Sequence, residues 1–121
     1  MSDQAVFTQS IEIAVDGYTG VLLIATDSNG FILGTVQIDY GKSGQEPYII
    51  KLFVAEAYRR KGIGSILVHE CIKTVSNKNY QVIALTVEPG NDSILPFYQK
   101  LGFRLAYRYE DRSRMLVYYL K

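Results

Sequence analysis

Apolar positions follow two rhythms along this chain. From Phe7 to Val54 they come in short runs broken by turn residues, and from Ile63 to Val75 they recur at helical spacing. Phe7 to Val15 alternates, with Ile11, Ile13 and Val15 on one side, and Asp16-Gly17 is a turn signal. Val21 to Thr26 is apolar, and the Asp27-Ser28-Asn29-Gly30 that follows contains Asn-Gly, a strong hairpin signal. Phe31 to Tyr40 returns as a strand, with Ile32, Val36 and Ile38 on one face and Leu33, Thr35 and Gln37 on the other. Gly41 to Gln45 is a loop. Tyr48-Ile49-Ile50-Lys51-Leu52-Phe53-Val54 is β-branched and aromatic and reads as a largely buried strand. Val6 to Val54 is thus expected to be a meander of about four strands.

The second rhythm predicts a helix with Ile63, Ile66, Leu67, Cys71 and Val75 inward and His69, Glu70 and Lys73 toward solvent. Gln81 to Val87 reads as a buried strand. A further helix is expected to be opened by Asn91 or Asp92 as cap, shortened or bent by Pro96, and closed by Gly102. Phe103 to Tyr109 and Met115 to Leu120 make a last hairpin across Glu110 to Ser113. The class is α+β: a single domain over residues 1–121, with a mixed, twisted, mostly antiparallel sheet of about seven strands and two main helices.

Composition narrows the function classes. At 48% hydrophobic residues the chain can bury a core, and a formal charge of +1 gives no support for a nucleic-acid surface. No apolar run reaches the length of a membrane span. Met1-Ser2-Asp3-Gln4 lacks the layout of a secretory signal. The single cysteine, Cys71, cannot form an internal disulfide, so a cytoplasmic location is expected. Its place on the apolar helix face makes it a core filler. The sole histidine, His69, falls midway along a helix and reads as solvated, and no metal-ligand set is present.

Between the strand ending at Val54 and the helix starting at Ile63 lies a basic turn, Arg59-Arg60-Lys61-Gly62-Ile63-Gly64-Ser65. Such a turn presents the unpaired N–H groups of a helix start, where the helix dipole adds positive potential, and a phosphate suits it. The Walker arrangement fails because Lys61 precedes Gly62. The dinucleotide fingerprint fails because Leu67 stands where a third glycine is needed.

What remains, Arg59-x-x-Gly62-x-Gly64, resembles the pyrophosphate loop of the GNAT superfamily of acyl-CoA-dependent N-acetyltransferases. Val87 to Phe103, with Asn91 and the run Tyr98-Gln-Lys-Leu101-Gly102-Phe103, resembles that superfamily's second signature. The two motifs stand in the family's order and cover about Tyr48 to Phe103. The resemblance implies a fold in which strands 48–54 and 81–87 lie parallel and splay, with a bulge near Phe53-Val54. It implies that acetyl-CoA or coenzyme A is held by Leu52, Phe53, Val54, Arg59, Arg60, Lys61, Gly62, Ile63, Gly64, Ser65, Asn91 and Tyr98.

The implied reaction moves an acetyl group from a thioester to a primary amine. The Val54 N–H would stabilise the oxyanion, and Tyr98 would protonate the leaving thiolate. A phenol near pKa ~10 matches a thiol better than a carboxylic acid does. Relatives place a basic carboxylate on the strand before the loop. Tyr48 to Ala55 has none, which leaves Glu88, Asp39, Glu46 or water. A non-catalytic coenzyme A sensor and an interaction module on the same fold are the alternatives. Five residues, Asp16 to Gly20, stand where the family has a helix pair. The acceptor half of the cleft is therefore expected to be bare, closed by a second subunit in a homodimer or by a large acceptor. The acceptor itself, small molecule or protein, is not legible.

Overall fold

The computed structural model describes residues 5–15 and 17–120. A meander of β1 (Phe7–Val15), β2 (Tyr18–Thr26), β3 (Ile32–Asp39) and β4 (Tyr48–Val54) leads through a 3-10 turn, Glu56–Tyr58, into helix α1 (Ile63–Ser76). Strand β5 (Val82–Val87) follows, then a 3-10 turn at Asp92–Ile94, helix α2 (Leu95–Lys100), and the hairpin of β6 (Arg104–Arg108) and β7 (Arg114–Tyr119). The sheet has seven strands in the order β1-β2-β3-β4-β5-β7-β6. Every pairing is antiparallel except β4 with β5. No helix among the described residues is long and apolar enough to cross a membrane.

One face of the sheet packs on α1. Val21 pairs with Ile38, Leu23 with Val36 and Ala25 with Gly34, and these residues form the buried floor under Ile63, Leu67, Cys71 and Val75. The register shifts between Ala25 and Thr26, where β3 supplies one residue more than β2. That bulge resets the alternation expected for β3. Leu33 is 1% exposed, and Ile32, expected on the inner face with Val36 and Ile38, is 56% exposed. On α1, Ile66 is expected inward but is 36% exposed, and Val68 takes the inner place at 0%. The helix is rotated so that Leu67 and Val68 straddle the core side. His69 and Lys73 face solvent and Cys71 is fully buried, as expected.

Strand β4 departs from its expected burial. Only Ile49 of its seven residues is buried. Opposite β3, the register jumps from Thr35↔Phe53 to Gln37↔Ile50, which puts the bulge at Lys51-Leu52, before the expected Phe53-Val54. Lys51 takes a φ of +54°, a left-handed conformation costly for a residue with a side chain. Bulges bend the strand that carries them. Past the bulge β4 swings away from β5, and the parallel pair is registered only at Tyr48↔Ala84. The sheet therefore opens into a cleft in its middle, as the resemblance implies, and the open flank explains the exposure of β4.

The second helix is short for the reason Pro96 provides. Proline has no N–H to continue the ladder, so it sits in the first turn of α2, which runs only six residues. Neither Asn91 nor Asp92 makes the expected side-chain cap. The Asp92 carboxylate is instead paired with the Arg114 guanidinium.

Candidate active site

Two hollows meet at the bulge of β4. The first, about 540 Å³, is lined by Leu52, Phe53 and Val54, by Tyr58, Arg59, Arg60, Gly62, Ile63, Gly64 and Ser65, and by Ile94 and Phe97. The second, about 740 Å³, lies on the other side of Leu52. It is bordered by Tyr48 to Leu52, by Leu85, Thr86 and Glu88 of the β5 end, by Tyr98, and by Asp39, Gly41, Lys42, Ser43 and Glu46.

The first hollow is built by the basic turn. Arg60 and Gly62 both adopt positive φ, +64° and +84°, so the chain reverses tightly before α1. Gly62 is the N-cap residue and no side chain caps the helix. The Ile66 N–H donates to the Gly62 carbonyl at 3.1 Å, which leaves the N–H groups before it without helical partners. A fourteen-residue helix thus aims uncapped donors and the positive end of its dipole at the hollow. Gly64 serves a different need. A Cβ there would come within 3.3 Å of Phe97 Cζ, so the glycine lets α2 close against the first turn of α1. The Arg59 Nε–H donates to the Val54 carbonyl at 3.0 Å, which ties the turn to the end of β4. Lys61 lies over the Tyr58 ring at 5.9 Å, outside the lining, and exposed Asn91 lines neither hollow.

The backbone of β4 also faces this junction. The Ala55 N–H donates to the Leu33 carbonyl at 2.9 Å, toward β3. Strand alternation turns the Val54 amide the opposite way, to the side where β5 has parted and where Arg59 meets the Val54 carbonyl.

Tyr98 is 7% exposed and packs edge-on against Phe97 and Phe103, with ring centroids 5.0 and 5.5 Å away. Burial, with Cys71 nearby, pushes its hydroxyl from 10.0 to about 12. The phenol is therefore a proton carrier at neutral pH. Burial pushes the Cys71 thiol to about 12 as well, so it stays a neutral core thiol.

These shifts set a pH dependence. The folded state holds Tyr98, Tyr40 and Cys71 neutral with pKa values of about 12, above their ordinary 10.0, 10.0 and 9.0. Their contribution is complete below pH ~9 and is lost as pH rises toward ~12, because the unfolded chain releases these protons first. Urea denaturation should show stability falling across that window. Tyr98→Phe should make the fall shallower, by on the order of 2 kcal/mol at its upper end.

The second hollow collects the acidic groups that β4 lacks. Asp39 ends β3, and its carboxylate accepts the Gly41 N–H at 2.8 Å. Glu46 follows the turn closed by Gly44 N–H to Gly41 O, and the Tyr80 hydroxyl donates to the Gly44 carbonyl and pins that turn. Glu88 sits one residue past β5. All three border the hollow that Tyr98 enters. The side expected to be bare thus has a wall, made by the loop of residues 41–46. The periodicity of the sequence marks that stretch only as a loop. Phe97 and Tyr58, which the sequence does not mark as site residues, both line the first hollow.

Residues 3–103 match the Acetyltransferase (GNAT) family. Over 65 residues the chain is 43% identical to a mycothiol acetyltransferase of Corynebacterium efficiens, a match covering 54% of this chain and 21% of that protein. It is 32% identical over 78 residues to N-alpha-acetyltransferase 30 of Schizosaccharomyces pombe, covering 59% of this chain and 52% of that one. The chain thus spans about a fifth to a half of the length of these relatives. A crystal structure of a GNAT-family acetyltransferase from Staphylococcus aureus superposes with a TM-score of 0.71 at 26% identity, covering 84% of this chain and 68% of that one.

Proposed function

The chain belongs to the GNAT family of acetyltransferases, and from that premise we propose that it transfers the acetyl group of acetyl-CoA to a primary amine by direct attack. The observation that carries this reading is the meeting of two unlike hollows at one stretch of backbone, Leu52 to Val54. One offers helix-start donors and Arg59 and Arg60 to a pyrophosphate. The other offers carboxylates and Tyr98 to an amine.

The family's acyl donor, acetyl-CoA, suits the first hollow by charge, with Arg59, Arg60 and the helix start in its lining. Its phosphates meet the N–H groups of Gly62 to Ser65 and the arginines of the turn. Its pantetheine arm runs along the flank of β4 that β5 has left. The amine lone pair attacks the thioester carbon, the new C–N bond forms, and negative charge moves to the carbonyl oxygen. The Val54 N–H meets that charge. The C–S bond then breaks and the sulfur takes the Tyr98 proton. The proton shed by the amine leaves through Glu88, Asp39 or Glu46, directly or by water, and Tyr98 is reprotonated from solvent. The absence of a carboxylate on β4 weighs less for a non-catalytic sensor once other elements bring carboxylates to the same hollow.

An acceptor screen tests the reading. Amino acids, polyamines, aminoglycosides and peptide N-termini are offered with acetyl-CoA, and free thiol is followed. Acceptor-dependent thiol release is expected, with a matching acetylated product. Thiol release that no acceptor accelerates would contradict it.

A homodimer belongs to the same proposal. Strand β6 ends the sheet with every residue exposed, and Leu105 and Tyr107 stand out from it. An open edge with apolar side chains is a natural seam for a second copy. Light scattering at micromolar concentration should give the mass of two chains. A monomer at that concentration would remove the seam from the account.

A further inference from the structure

Beside the acceptor hollow lies a second concavity with the opposite charge. It holds about 420 Å³ between the residues after β5 and the β6–β7 hairpin, and it is lined by Pro89, Gly90 and Tyr109, by Arg108, Arg112 and Arg114, and by Asp92. Arg108 and Arg114 are directly opposite each other across β6 and β7. Like charges in that position repel, and sequences ordinarily avoid it. Arg112 joins them from the turn, where it takes a φ of +74°. The Asp92 carboxylate pairs with Arg114 and is the only acid in the lining among the described residues. Arg114 is largely buried, with a side-chain exposure of 14%, and its Nε–H is buried with no hydrogen-bond partner among the described residues. The lining thus carries three guanidinium groups and one carboxylate, which pairs with Arg114. Guanidinium groups recognise carboxylate and phosphate through paired N–H donors.

The position of this concavity links it to the transfer site. Glu88 borders the acceptor hollow, and the next residues, Pro89 and Gly90, border the arginines. Tyr48 lines the first and Tyr109 the second, and both hydroxyls turn to Met115 Sδ, at 3.4 and 3.9 Å. This narrow ridge of Tyr48, Met115 and Tyr109 separates the two.

We propose that the arginine concavity is an anion subsite for the acceptor, so that the preferred acceptor carries a carboxylate or phosphate at some distance from its amine. This rests on the acetyl-transfer reading above. The amine lies among carboxylates near Tyr98, the intervening chain crosses the Tyr48–Met115–Tyr109 ridge, and the anion ends between Arg108 and Arg112. An acceptor with charges of both signs then fits in one orientation only, with the amine toward the thioester.

The test uses ω-amino carboxylates of increasing chain length, the matching ω-aminoalkyl phosphates, and alkylamines of the same lengths. Binding is read first, from the arginine Nε–H resonances of 15N-labelled full-length protein saturated with coenzyme A. The anionic amines should shift the Arg112 and Arg108 resonances, and the alkylamines should not. Whichever anion gives the larger shifts at lower concentration identifies the chemistry.

Turnover is read second. The kcat/KM of an anionic acceptor of suitable length should exceed that of the matching alkylamine about tenfold or more, and Arg112→Gln should reduce this ratio toward one, chiefly through KM. Arg108→Gln provides a second variant in case the first disturbs the turn. Shifts at the arginines without any turnover would uphold the subsite and sink the transferase reading. Turnover of both acceptor classes at equal kcat/KM, with no movement of the arginine resonances, would overturn the subsite and leave the transferase standing.

Discussion

Gly64→Val is expected to remove measurable coenzyme A binding while leaving the protein folded. The Cβ alone would stand 3.3 Å from Phe97 Cζ and 3.8 Å from Val54 Cγ2. Gly64, Phe97 and Val54 all line the first hollow, so the added bulk is expected to narrow it. There it would hold a pyrophosphate off the helix-start donors. Hydrogen bonds to charged groups contribute roughly 1.5–3 kcal/mol each, so losing two of them weakens binding by about 10²-fold or more.

Gly62→Val should have a comparable effect by another route. Nothing crowds a Cβ there, but φ is +84°, and a β-branched residue held in that region costs on the order of 1–3 kcal/mol. The turn would relax and carry its N–H groups away from the phosphate. Lys61→Ala should cost only a few-fold, because Lys61 rests on the Tyr58 ring outside the hollow. Calorimetry with coenzyme A reads all three variants, and circular dichroism checks the fold. A folded Gly64→Val protein that binds coenzyme A normally would remove the cofactor from this hollow.

Tyr98→Phe should lower kcat by about 10²-fold, the low end for a general acid, with coenzyme A affinity nearly unchanged. The ring contacts with Phe97 and Phe103 survive the substitution, so packing is kept and only the proton is lost. The raised pKa, about 12, sharpens the expectation. In wild-type protein the phenol stays protonated across the accessible pH range. Its ionisation should therefore put no descending limb on the rate profile below pH ~11. Single-turnover kinetics isolate the chemical step. An unchanged single-turnover rate in the variant would make Tyr98 a wall of the pocket and leave the leaving thiolate to water.

The parts of this account that were legible in the sequence are those governed by local rules. The meander up to Val54, the helix after the glycine turn, the burial of Cys71 and the exposure of His69 all follow from periodicity and turn chemistry. The cleft was legible through the resemblance, because the glycine spacing and the Tyr98 run are carried by short motifs. The misplacements in the strands share one cause. A bulge adds a residue to one strand, and alternation read from sequence has no means of counting it. The bulge in β3 exchanges Ile32 for Leu33, and the one in β4 sits at Lys51-Leu52, before Phe53-Val54. Capping failed for a similar reason. Asn91 and Asp92 have cap chemistry, but Asp92 is taken by Arg114, twenty-two residues further along the chain. The wall made by the loop of residues 41–46 and the arginine concavity bring together residues distant in sequence, for which no periodic signal exists.

The central claim is that the thioester lies at the β4 bulge, between the two hollows. A crystal structure of the protein with acetyl-CoA tests this most directly. The account predicts phosphates on the N–H groups of Gly62 to Ser65, a pantetheine arm between β4 and β5, a carbonyl oxygen within hydrogen-bond reach of the Val54 N–H, and sulfur beside the Tyr98 hydroxyl. A cofactor bound elsewhere, or a thioester turned away from both Val54 and Tyr98, would contradict it.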